Sequence, residues 1–119
     1  MRILCADDDP DIRVILDLAL KVDPEIDATI VDSGDAVLAR ADERWDAFVL
    51  DAMMPGTDGY ATCERLKADP ATAHVPVVFL TARTQRGEVD RALALGAKAC
   101  LVKPFDPMTL AGDLRAALA

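Results

Sequence analysis

The chain predicts an α/β fold, a parallel sheet covered by helices on both faces, and three observations lead there. Short apolar runs alternate with segments whose apolar residues recur at helix spacing. The alternation repeats through the whole of the 119 residues. One of the runs, Phe48-Val49-Leu50, is unbroken and ends in a single acid, as a strand buried on both faces does.

Each element has its own signal. Ile3-Leu4-Cys5-Ala6 is a first strand ending in Asp7-Asp8-Asp9-Pro10. Asp9 is placed to cap the next helix, with Pro10 at its first position, where a missing N–H costs nothing. Ile12, Ile15, Leu16 and Ala19 mark that helix and Pro24 stops it. Ala28-Thr29-Ile30-Val31 is a second strand, Asp32-Ser33-Gly34 a turn and cap, and Val37, Leu38 and Ala41 the stripe of a second helix. Asp46 to Leu50 is the third strand, followed by a loop marked by Pro55, Gly56 and Gly59. Gly59 to Lys67 carries Tyr60, Cys63 and Leu66 on one helical side, ended by Asp69-Pro70.

Pro76 to Leu80 is the fourth strand, with Thr81-Ala82 at its exit. Val89, Ala92 and Leu93 mark a fourth helix closed by Gly96. Ala99 to Val102 is the fifth strand and runs into Lys103-Pro104-Phe105. Asp106 is expected to cap a last helix with Pro107 at its first position and Leu110, Leu114 and Ala117 facing inward. Successive βα units make right-handed crossovers. The expected architecture is a flavodoxin-like (βα)5 three-layer sandwich with sheet order 2-1-3-4-5, one domain over residues 1–119.

Composition narrows the function classes. With 52% hydrophobic and 29% charged residues the chain is globular. The net charge of −8 argues against gripping nucleic-acid backbones and suits a cation or a basic protein face. No apolar run is long enough to span a bilayer, and no signal-peptide pattern precedes the first strand, so a cytoplasmic protein without a membrane partner is expected. Cys5, Cys63 and Cys100 are widely separated and read as reduced, packed thiols. Trp45 is expected to pack beside the third strand at a helix end, and His74 to lie in a surface loop away from the acids.

The sheet order places strands 1 and 3 side by side, so Asp7, Asp8 and Asp51 converge where open α/β sheets bind ligands. Crowded carboxylates repel unless a cation joins them. Magnesium, or manganese, suits such a site, because it takes a few carboxylates and keeps positions for water and phosphate. Asp8 and Asp51 are expected to bind it directly, Asp7 through a water, and Met53 through its carbonyl. Thr81 and Lys103, at the exits of strands 4 and 5, complete an electrostatic clamp for a transferring phosphoryl group. Asp51 is then the nucleophile, forming an aspartyl-phosphate.

Ile3 to Pro10, Leu50 to Gly59, Phe79-Leu80-Thr81-Ala82 and Gly96 to Phe105 together resemble the receiver domain of two-component response regulators, in order and along the entire chain. The resemblance implies Asp51 as phosphoacceptor, Asp7 and Asp8 as the acidic metal pair with the Met53 carbonyl, and Thr81 and Lys103 as the groups that meet the phosphoryl oxygens. It implies a histidine kinase or histidine phosphotransfer protein as donor, an output domain or partner protein, and a cis Lys103–Pro104 bond. Such a domain is not an enzyme in the usual sense; it promotes transfer onto itself and its own dephosphorylation. Met53 and Arg83 stand where the family tunes that dephosphorylation.

Two departures stand out. Three residues before the lysine the family usually has a ring, and this chain has Cys100. DNA-binding members carry acidic residues just before that position for a symmetric homodimer, and this chain has Lys98-Ala99. Cys100 favours the alternative of a constitutive interaction or dimerisation module. A phosphatase of the aspartyl-phosphate type is disfavoured, since its second acid, two residues after the nucleophile, is here Met53. With the sequence reaching Ala119 where the last helix should finish, either a stand-alone regulator or part of a longer one is expected.

Overall fold

A computed structural model describes residues 1–82 and 86–119. Five strands, β1 (Arg2–Ala6), β2 (Asp27–Val31), β3 (Ala47–Asp51), β4 (Val77–Thr81) and β5 (Ala99–Val102), alternate with α1 (Pro10–Leu20), α2 (Gly34–Arg40), α3 (Gly59–Ala68), α4 (Arg86–Ala94) and α5 (Leu110–Leu118). All pairings are parallel and the sheet order is β2-β1-β3-β4-β5, as expected. The run expected to be buried on both faces forms β3, buried at every position, as β4 is too, while β2 and β5 lie at the edges and are part-exposed.

Because strand side chains alternate between faces, β1 feeds two cores. Leu4 and Ala6 join Val37, Tyr60, Cys63, Leu66 and Ala92 under α2, α3 and α4. Ile3 and Cys5 join Leu16, Ala19, Leu110 and Leu114 under α1 and α5. Trp45 is buried, with its indole Nε1 donating to the Arg40 carbonyl at the end of α2 at 2.8 Å. Among the described residues no helix is long and apolar enough to cross a membrane.

Local chemistry sets the helix ends. Asp9 caps α1 by accepting from the Asp11 and Ile12 amides, and Ser33 caps α2 by accepting from Ala36 at 3.1 Å. Asp58 caps α3 by accepting from Ala61 at 2.8 Å. Gly96 follows α4 at φ +99°, the left-handed conformation that glycine tolerates best. The last helix starts later than its sequence signal: Asp106 accepts from Met108 at 2.8 Å, but a separate turn fills 106–109 and α5 opens at Leu110. Its inward face is as expected, with Leu110 and Leu114 buried.

Candidate functional site

Register builds the site. Ala6 of β1 pairs with Leu50 of β3, so the next residue on each strand, Asp7 and Asp51, emerges side by side. Asp8 follows on the β1–α1 turn, exposed where Asp7 and Asp51 are buried. One carboxylate oxygen from each of the three acids lies within 4.8 Å of the others. The three acids expected from the sequence therefore meet, and the Met53 N–H donates to Asp51 Oδ1 at 3.2 Å.

The remaining strand exits add the expected complements. Thr81 is the last residue of β4 and 4% exposed, one position beyond the Leu80 that pairs with Asp51. The Lys103 amide donates to the Thr81 carbonyl at 2.9 Å, which fixes the start of the β5–α5 loop against β4. From there Lys103 Nζ reaches Asp7 Oδ2 at 2.5 Å and Asp51 Oδ2 at 3.2 Å. The Lys103–Pro104 bond is cis.

Burial and charge pull in opposite directions here. Burial raises the Asp51 carboxyl above the ordinary carboxylate value; the Lys103 charge and the Met53 N–H offset part of that rise, and the Asp7 charge adds to it. Burial by itself lowers the Lys103 ammonium, but its bond to Asp7 and the charges of Asp51 and Asp7 outweigh burial, and the net shift is upward. Lys103 is thus a fixed cation shared by two acids.

Three carboxylates against one ammonium leave a net charge of −2 in an all-oxygen donor set, with Asp8 open to solvent. That set fits one hard divalent cation that keeps part of its water shell.

One supporting contact was not legible in the sequence. Arg13 of α1 reaches back so that Nη1 donates to the Asp7 carbonyl at 3.0 Å. In the sequence Arg13 is indistinguishable from a solvated helix charge. Other residues fall where expected: His74 is an exposed loop residue, and Cys5, Cys63 and Cys100 are free thiols. Burial pushes Cys5 up to about 12 and Cys63 up to about 11, so neither is a reactive thiolate. Arg83 lies outside the described residues.

Comparison with known proteins agrees with this geometry. The family model for the response regulator receiver domain matches residues 3–115. The chain is 38% identical over 115 residues to the response regulator PleD of Caulobacter vibrioides, covering 96% of this chain and 25% of that protein. It is 38% identical over 117 residues to the DNA-binding response regulator MtrA of Mycolicibacterium smegmatis, covering 98% of this chain and 50% of that one. It therefore spans a quarter to a half of the length of these relatives.

Among solved structures, the chemotaxis response regulator CheY4 of Vibrio cholerae superposes with a TM-score of 0.89 at 27% identity, over 98% of this chain and 97% of that one. The receiver domain of sensor histidine kinase PA1611 from Pseudomonas aeruginosa, solved with a magnesium ion coordinated in its active site cleft, gives 0.85 at 26% identity, over 98% and 96%. A match along nearly the whole chain, on a doubly wound sheet whose β1 and β3 exits carry the acids, shows that this chain belongs to the response regulator receiver domain family.

Proposed function

We propose that the chain accepts a phosphoryl group on Asp51 from a phosphohistidine of a partner histidine kinase or phosphotransfer protein, and that the modified state alters the surface formed by α4, β5 and α5. The observation that carries this reading is the meeting of Asp51 with Asp7 and Asp8 within 4.8 Å, bridged by Lys103. In the transfer an Asp51 carboxylate oxygen attacks phosphorus, a P–O bond forms, and the P–N bond to the donor imidazole breaks. The imidazole nitrogen keeps the bonding pair and takes a proton, and the product is an aspartyl-phosphate.

Asp7, Asp8, Asp51 and the Met53 carbonyl would hold magnesium, or manganese. When bound, that ion supplies positive charge to the acids and to the transferring oxygens. The chain's own groups do the rest. The Met53 N–H keeps one Asp51 oxygen oriented, leaving the other for attack. Lys103 already touches Asp51 and pairs with the new phosphoryl oxygens as they arrive. Thr81, level with the site at the end of β4, supplies a hydroxyl donor to the same oxygens. The chain is a phosphoacceptor acting on itself rather than an enzyme with a separate substrate.

The magnesium-bound PA1611 receiver supports the metal reading, and the response-regulator relatives support a kinase donor and an output partner. The test is incubation with acetyl phosphate in magnesium and in chelator, followed by intact mass. One added phosphoryl group in magnesium alone is expected; equal uptake in chelator contradicts the metal assignment, and no uptake contradicts the acceptor assignment.

A further inference from the structure

The third helix begins directly on the backbone of the acceptor residue. A Cβ at Gly59 would lie 2.2 Å from the Asp51 carbonyl oxygen, so no gap separates the end of β3 from the first turn of α3. The Gly59 amide also donates to the Ala52 carbonyl at 3.2 Å. Tyr60 is the next residue, and it is 4% exposed.

Its ring meets two other elements. Against β4 it packs on Phe79, with centroids 5.3 Å apart. Phe79 and Thr81 are two residues apart on one strand and share a sheet face. Against α4 it makes two polar contacts: the hydroxyl donates to Glu88 Oε2 at 2.7 Å, and the Arg91 guanidinium sits over the ring face at 4.1 Å. Glu88 and Arg91 are one helical turn apart, so they grip the ring from the same side of α4. Burial and the Glu88 carboxylate push the Tyr60 hydroxyl up to about 12, which keeps it a donor at neutral pH.

Ala92 is the one buried residue among the described residues of α4. Beside that buried alanine, the two contacts at Tyr60 tie α4 to the body of the molecule.

We propose that Tyr60 is the coupling residue between the acceptor site and α4, with the Gly59 contact and the Phe79–Thr81 strand face converging on its ring from one side and Glu88 and Arg91 gripping it from the other. The proposal rests on Asp51 being the phosphoacceptor. Two displacements then reach one side chain. Added bulk and charge at the end of β3 press on the first turn of α3, where Gly59 leaves no slack. Thr81, drawn toward the phosphoryl oxygens, shifts the strand on which Phe79 supports the ring. Either displacement misaligns the hydroxyl with Glu88, and α4 changes position.

The experiment follows backbone amide shifts while the wild-type chain and the Y60F and R91A variants are titrated with magnesium and beryllofluoride, a phosphoryl mimic. Tyr60→Phe keeps the ring and its packing and removes one hydrogen bond to a charged acceptor, a change worth roughly tenfold in the balance between two positions of α4. In Y60F the amides at 51–53 and 103 are expected to respond as in wild type. The amides of α4 are expected to be displaced before the mimic is added and to move several-fold less when it arrives. Arg91→Ala, at an exposed position, is expected to change α4 in the same direction by less. If α4 in both variants follows wild type with and without the mimic, the coupling is overturned while the acceptor reading stands. A wild-type pocket that responds while α4 stays still overturns it equally. A wild-type pocket that does not respond at all overturns the acceptor reading, and the coupling with it.

Discussion

Replacing Asp51 by Asn should stabilise the metal-free protein, and the geometry sets the size of the effect. Lys103 Nζ lies 3.2 Å from Asp51, an attraction of about 5 kcal/mol at an effective dielectric constant near 20. The Asp7 carboxylate, within 4.8 Å, repels by at least about 3.5 kcal/mol on the same footing. Asp8 adds a similar repulsion, reduced by roughly half because it is exposed. The charge contributions nearly cancel, and the cost of burying an ionised carboxylate is left uncompensated. The substituted amide would keep an acceptor for the Met53 N–H, and Lys103 would keep Asp7 at 2.5 Å.

The expected gain is on the order of 1 kcal/mol, or about 4 °C in the unfolding midpoint. It should depend on pH. Folded Asp51 holds its proton more tightly than the unfolded chain, whose ordinary value is 3.8. Its favourable contribution is complete below that value and is lost as pH rises through the folded value. The variant's advantage is therefore absent in acid and grows toward neutrality. Urea unfolding in chelator between acid and neutral pH measures it, and added magnesium should narrow or reverse the difference by stabilising wild type alone. A D51N protein no more stable than wild type at neutral pH in chelator would refute the electrostatic reasoning.

Other substitutions probe separate parts of the account. Lys103→Met leaves the fully buried Asp7 without its ammonium partner and should cost about 3 kcal/mol in chelator by urea unfolding, with magnesium restoring part of the loss. Gly59→Ala forces a Cβ to 2.2 Å from the Asp51 carbonyl; it should destabilise by about 2 kcal/mol or more and slow phosphoryl uptake, because the shift that relieves the clash moves the acceptor. Phe48→Ala empties a fully buried position in the centre of the sheet and should cost about 3–5 kcal/mol in the same unfolding assay.

Much of this molecule can be read from residue order, because strand exits are set by local patterns. Apolar runs ending in Asp7, Asp51, Thr81 and Lys103 locate the site once the sheet order follows from the βα alternation. What escaped depends on distances between segments. That one lysine would bridge Asp7 and Asp51, and that Arg13 would turn inward to the Asp7 carbonyl, depends on how β5 and α1 settle against β1. The start of α5 departs from its cap signal. Asp106-Pro107 carries the same cap chemistry as Asp9-Pro10, yet it organises a separate turn before Leu110. Helix spacing also overstates burial at the rims, where Ile15 is 37% and Leu93 45% exposed. Tyr60 falls on the apolar side of its helix and is buried; its grip on Glu88 and Arg91 needed the placement of α4.

The central claim is that Asp51 carries the phosphoryl group. An aspartyl-phosphate is an acyl phosphate, which borohydride reduces to homoserine, so the acceptor can be marked and located by peptide mass mapping after treatment with acetyl phosphate and magnesium. Homoserine is expected at position 51 in wild type and at no other acid, with the mark absent in D51N. Homoserine at Asp7, Asp8 or elsewhere in the wild-type chain, or phosphoryl uptake by D51N equal to that of wild type, would contradict it.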